Sequence, residues 1–265
     1  MCTLAFALRE NEEYPFVLIG NRDEFYKRPT EAMHWWKGNH LQPSSPYDLL
    51  AGKDLEAGGT WMGLTASGRF AAITNFRDLN NVIENAPSRG HLVNDYLQSN
   101  ISPQEFMKRL TEKGDQYNGF NLLFGNLQQL NYYTNYDRRD HYLKAGIHGI
   151  SNAYLNDAWP KVERLKSRLK SSMRKGGPEV DELLDHLSDR EEFTENLPDT
   201  GLSPEMEKKV SATCIETPDY GTRVSTVIMM NKRGQVSVTE LNRLTGESNQ
   251  FEFSSLRTEP FAYGL

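Results

Sequence analysis

A chain of 265 residues with 37% hydrophobic side chains, including 12 Phe, 12 Tyr and 4 Trp, can bury a sizeable core, and its net charge of −6 offers no basic footprint for nucleic acid. Lys and Arg are scattered rather than clustered, which also argues against a polybasic membrane surface. Two cysteines, Cys2 and Cys214, are too few for a disulfide scaffold, so a reducing, cytoplasmic setting is expected.

Residues 2–9 and 16–21 are short apolar runs around a polar turn cluster, and this pattern predicts an antiparallel hairpin that opens on Cys2. The first run lacks a basic leader and is too short to cross a bilayer, and no later segment reaches the length of a membrane helix. Residues 26–50 read as a loop rich in Pro, Asn, Ser and Gly, with Trp35 and Trp36 embedded. Thr60–Thr65 and Arg69–Asn75 predict a second hairpin around Ala66-Ser67-Gly68. Helical spacing follows: Ser88 is a candidate cap for a segment carrying Leu92, Val93, Tyr96 and Leu97, and Ser102-Pro103-Gln104-Glu105 combines a capping box with proline at the first helical position. Residues 119–134 return to strand character with a turn near Gly125-Asn126, and a further strand signal runs from Tyr142 to Ser151. Asn156 or Asp157 can cap a helix with Val162, Leu165 and Leu169 on one face, and Val180, Leu183, Leu184 and Leu187 mark another. Residues 188–212 are strongly polar, and strands near 223–231, 235–241 and 249–254 close the chain. Grouped strands and grouped helices predict an α+β fold with largely antiparallel sheets, and no linker separates two domains.

Removal of Met1 would make Cys2 the first residue, with a thiol and a free α-amine on one carbon. Their ordinary pKa values, roughly 8.5 and 8, allow the amine to take the thiol proton near neutrality. The predicted hairpin brings Gly20-Asn21-Arg22-Asp23-Glu24 beside Cys2, where a guanidinium would favour a thiolate or hold a substrate carbonyl or carboxylate. The same residues also suit a solvated turn. Asn75 and Asn152 each place an amide at the end of a strand signal, as an oxyanion donor or as a turn residue. Arg223 opens a strand and can point into a site or out to solvent. The six histidines, among them His34, His40, His91, His141 and His148, show no metal-ligand spacing, and no phosphate loop is present, so neither metal nor cofactor is expected.

Taken together, Met1-Cys2-Thr3-Leu4, Gly20–Phe25 with Arg28-Pro29, Ala57–Gly63, Ala72–Arg77, His148–Ala153, Trp159-Pro160-Lys161 and Asp219–Arg223 resemble the motifs of the NRDE, or transport and Golgi organisation, family across nearly the whole chain. That family is similar to N-terminal nucleophile (Ntn) hydrolases. The resemblance implies a single domain over residues 1–265, a four-layer αββα sandwich of two mainly antiparallel sheets. The penicillin V acylase and bile-salt hydrolase branch of that group uses a cysteine exposed by methionine removal. By resemblance Cys2 is the nucleophile, Arg22 a substrate or thiolate partner, and Asn75 and Asn152 oxyanion or amine-positioning groups. Asp23 or Glu24 takes the acidic role, and Arg223 is a further transfer.

Two functions follow. One is a cytoplasmic amidohydrolase acting on a small-molecule, linear, non-peptide amide. The other is a non-enzymatic carrier on the same scaffold, because family members are linked with haem trafficking and with lipid or acyl-CoA metabolism. Its partner would be a hydrophobic ligand such as haem, with His148, Trp61 or Cys2 as contact candidates. Retention of Met1 would favour the carrier.

Overall fold

Strand β1 (Cys2–Leu8) is buried along its whole length, because it lies inside a sheet that is covered on both faces. The computed structural model describes residues 2–37, 43–137, 140–174 and 177–255; Met1 and His40 lie outside them. β1 pairs antiparallel with β2 (Phe16–Phe25). Alternate residues divide their work. Leu4, Phe6, Leu8, Phe16 and Leu18 join the core between the two sheets. Ala5, Ala7, Val17 and Ile19 instead meet Leu165, Leu169, Met173 and Leu183 on the helix side. The small alanines let a helix close on this face, and the large residues fill the inter-sheet space. Gly20 opposes Leu4, and a Cβ there would collide with Leu4 Cδ2, which explains glycine at that position.

The remaining strands, in chain order, are β3 (Thr30–Trp35), β4 (Leu49–Asp54), β5 (Met62–Thr65), β6 (Arg69–Asn75), β7 (Phe120–Asn126), β8 (Gln129–Thr134), β9 (Asp140–Tyr142), β10 (Gly146–Ile150), β11 (Tyr220–Met230), β12 (Gln235–Asn242) and β13 (Ser248–Ser254). One sheet has the order β10-β1-β2-β11-β12-β13 and the other runs β3 to β9 in sequence. Helices α1 (Gly90–Leu97) and α2 (Pro103–Lys113) cover the second sheet, and α3 (Pro160–Arg174) and α4 (Val180–His186) cover the first. A short α5 (Pro204–Lys209) follows. The result is the α+β, αββα sandwich with antiparallel sheets that the resemblance implied. Among the described residues no helix is long and apolar enough to cross a membrane.

The capping box of α2 forms as its residues predict: Glu105 N donates to Ser102 Oγ at 3.2 Å, and Ser102 N donates to the Glu105 carboxylate at 3.0 Å. Four local expectations change. The stretch 26–50 is not all loop, because Met33 and Trp35 alternate into the core and form β3, and Leu49 and Leu50 begin β4. The single strand expected over Tyr142–Ser151 divides between the two sheets, and Gly146, at φ 151°, begins the strand after the break. Helix α3 begins at Pro160, while Asn156 takes φ 63° and serves a turn through its bond to Gly149 N. Ser88 supplies a carbonyl to His91 N rather than a side-chain cap, and Arg89 occupies the cap position of α1.

Candidate functional site

The β1–β2 register pairs Cys2 with Arg22. Directly opposed residues of an antiparallel pair project to the same side, so thiol and guanidinium share the inter-sheet face. At this end of the hairpin the core gives way to a cleft of about 500 Å³, whose lining includes Cys2, Arg22, Trp61, Asn75, Arg89 and Arg223. On the other side of β2, β11 pairs Thr222 with Asp23 and Val224 with Arg22. Arg223 is therefore the extra residue of a β-bulge, a device that re-aims a side chain. Its guanidinium turns into the cleft and donates to the carbonyls of Phe25, at 3.3 Å, and Arg28.

Strand alternation separates the two acidic candidates. Glu24 lies on the cleft side, 3.5 Å from Arg22 and 3.9 Å from Arg28. Arg28 is anchored by Asp54 at 2.8 Å and by the exposed Glu56 at 3.2 Å. Asp23 turns toward the helix layer, is 1% exposed, and accepts from Thr222 Oγ1 at 2.7 Å. Beneath it lies Lys161 in the first turn of α3, 2% exposed, donating to the Val210 carbonyl at 2.8 Å. Burial pushes the Asp23 carboxyl up, and Lys161 opposes that shift. Burial lowers the Lys161 ammonium to about 8, with Asp23 and Cys2 pulling the other way. The Cys2 thiol is also raised by burial, with Asp23 adding to the rise and Arg22 and the Asp23 backbone N–H opposing it. A thiol so placed needs a base to become a nucleophile.

The two asparagines occupy different layers. Asn75, at the end of β6, lines the cleft, and among the described residues its side-chain amide has no hydrogen-bond partner. Asn152 is 1% exposed, and its Nδ2 donates to the Asn75 carbonyl at 2.9 Å. Ser151 Oγ lies 3.2 Å from Asn152 Oδ1 and 3.1 Å from the Cys2 carbonyl. A polar chain thus ties the backbone of Cys2 to the backbone of Asn75 through Ser151 and Asn152. The cleft brings Cys2, Arg22, Asn75 and Arg223 together, with Asp23 and Asn152 behind them.

Two residues at this site carried no role in the sequence reading. Arg89 sits in the turn before α1, which is drawn tight because Gly59 and Gly90 pass so closely that a Cβ on Gly59 would lie 2.7 Å from Gly90 C. Nothing local distinguishes it from any other turn arginine. Lys161 had a signal. It stands four and eight residues before Leu165 and Leu169, and so belongs to the apolar stripe of α3, where a cation needs a reason to be.

Among the described histidines, His34 bonds the Ala32 carbonyl, His91 the Ala57 carbonyl, His148 the Lys144 carbonyl and His186 the Ser172 hydroxyl, while His148 also stacks on Phe6 and His141 on Tyr132. Among the described residues no three His, Cys, Asp or Glu side chains converge as a metal site.

Comparison with known proteins agrees with this architecture. Two solved structures of variants of the conjugated bile acid hydrolase of Clostridium perfringens superpose with a TM-score of 0.53 each, at 10% and 11% identity, over 98% and 95% of this chain and 94% and 92% of theirs. At such identity the likeness is one of fold, the Ntn-hydrolase sandwich. The chain is 34% identical over 262 residues to the Transport and Golgi organization protein 2 homolog of Bos taurus, and 32% identical over 264 residues to that of Homo sapiens, with 90% of both partners covered in each case. The family model described as Transport and Golgi organisation 2 matches residues 1–245. The chain therefore belongs to the Transport and Golgi organisation 2 family.

Proposed function

We propose that this chain is an amidohydrolase of the N-terminal-nucleophile type, acting on a linear, non-peptide amide bound in the Cys2 cleft. The observation that carries this reading is the meeting of Cys2 and Arg22 on one sheet face, in a cleft that also holds the Asn75 amide, which has no hydrogen-bond partner among the described residues. With Met1 removed, the α-amine of Cys2 is the base that the buried thiol requires. It takes the thiol proton, and the sulfur attacks the amide carbonyl carbon to form a tetrahedral oxyanion. Asn75 Nδ2 donates to that oxygen, and Asn152 holds the Asn75 backbone in place. The C–N bond then breaks, the α-ammonium delivers its proton to the leaving amine, and a thioester remains on Cys2. Water, deprotonated by the same amine, attacks the thioester and releases the acid. Arg22 favours the thiolate, and Asp23 with Lys161 beneath it sets the local field.

A carrier of a hydrophobic ligand such as a lipid, acyl-CoA or haem is the second reading. It is favoured by the apolar part of the cleft lining, which includes Phe25, Trp61, Ile73 and Val224.

Intact-mass measurement of the mature protein, combined with turnover of a panel of N-acyl amides by the Cys2 and Cys2→Ala proteins, separates the two. The hydrolase is expected to lack Met1 and to lose all turnover on Cys2→Ala with its melting temperature nearly unchanged. Retained methionine on active, folded protein would sink the hydrolase mechanism.

A further inference from the structure

The cleft carries as many acidic as basic residues, so a count of charges does not say which sign of ligand it prefers. Their pairing does. Glu24 and Asp54 are held by Arg22 and Arg28. Glu240 is buried and accepts from Met33 N at 2.6 Å, and Asp23 faces the helix layer. These four carboxylates are therefore committed to the protein's own donors, and the fifth, Glu31, lies 3.8 Å from His34.

Of the cleft cations outside these pairs, Lys53 lies over the Trp36 ring, 5.3 Å from its centroid, and two guanidinium groups remain. Arg89 donates through Nη1 to the Gly119 carbonyl at 2.9 Å, and Arg223 donates to the carbonyls of Phe25 and Arg28. Among the described residues neither guanidinium makes an ion pair, although both are half-buried in the cleft wall. Burial lowers the pKa of each, opposed by Cys2 and Glu24 at Arg89 and by Glu24 and Asp54 at Arg223. Carbonyl bonds fix each planar fork and leave donors spare, so each is pre-organised for an anion.

We infer that Arg89 and Arg223 form an anion-recognition subsite of the Cys2 cleft, and that the small molecule it takes carries a carboxylate or phosphate group close to its amide. As a statement about a substrate this rests on the hydrolase reading, but as a statement about binding it stands alone. The subsite supplies specificity: a neutral analogue leaves two desolvated guanidinium groups without a counter-charge, whereas an anion provides one.

The test is calorimetric titration of the Cys2→Ala protein with three matched ligands: N-decanoylglycine, N-decanoylethanolamine and the phosphate ester of the latter. Expected is tighter binding of at least one anionic ligand than of the neutral one by about 10- to 100-fold, and the stronger of the two identifies carboxylate or phosphate. Arg89→Gln in the same background should bring that preference to within a few-fold while leaving the neutral ligand's affinity unchanged, which also reports an intact fold. Arg89→Lys should keep an intermediate preference, since it retains the charge and loses the fork. Equal affinity for all three ligands, no binding of any of them, or a loss on Arg89→Gln that is the same for neutral and anionic ligands would overturn the inference. Because the Cys2→Ala protein needs no turnover, selective binding beside an inactive Cys2 protein would count against hydrolysis and leave the subsite standing.

Discussion

The two ends of the β1–β2 hairpin share one ladder and one alternation, yet they do opposite things. At one end Phe6 opposes Leu18, both fully buried between the sheets. At the other, four residues along the same face, Cys2 opposes Arg22 at the floor of an open cleft. The backbone geometry is continuous between them. What changes is the covering: Phe6 is packed into the core between the sheets, whereas beside Cys2 β6 ends at Asn75 and the cleft begins. A single ladder can therefore fasten a site rigidly to a core without placing the site inside it, which is how pre-organised groups are held at little cost to stability.

Three substitutions would break or sharpen this contrast. The largest effect is expected at the closed end. Phe6→Ala removes a fully buried ring and should cost about 3–5 kcal/mol, read by denaturant unfolding, with the Cys2 environment altered only through the lost stability. A loss under about 1 kcal/mol would mean that the dry end is not the anchor. At the open end the balance reverses. Asn75→Ala should leave unfolding nearly unchanged, because the amide has no partner among the described residues, but should lower kcat by roughly 10²–10³-fold if it meets the oxyanion. Unchanged kcat with full stability would remove Asn75 from the mechanism.

The smallest effect lies behind the site. Lys161 is lowered from the ordinary lysine value to about 8, so between about pH 8 and the unfolded value near 10.4 the unfolded chain binds more protons and stability rises with pH. The burial penalty on this ammonium is thus fully present below pH 8 and relieved above it. The melting temperature of the parent protein minus that of Lys161→Met should therefore grow as pH rises from 8 toward 10. A difference that stays flat across this window would show that Lys161 does not titrate as a buried group.

The hairpin and the placing of Cys2 beside the Gly20–Glu24 segment were legible in the sequence, since two apolar runs around a polar turn allow little else, whereas the register came from the structure. The α2 capping box was equally legible, being complete within four residues. Strand β3 was hidden because its outer residues are polar and only Met33 and Trp35 reach the core. The division of Tyr142–Ser151 between the sheets was hidden for a different reason: strand propensity does not say which neighbour a strand will find.

By itself the sequence determined the alternation that sends Leu4, Phe6 and Leu8 to one face and Ala5 and Ala7 to the other, and with it the place where Cys2 would emerge. These are local properties, written in periods of two residues and in turn chemistry. Only the tertiary structure decided that Glu24 rather than Asp23 shares the cleft face with Cys2, that Lys161 lies buried beneath Asp23, and that Arg89 joins Arg223 in the cleft wall. Each depends on segments distant in sequence being brought together: β2 against β11 with its bulge, α3 against the first sheet, and Gly90 against Gly59. A side chain's charge is carried by its own residue, but whether that charge is answered depends on what the rest of the chain places beside it.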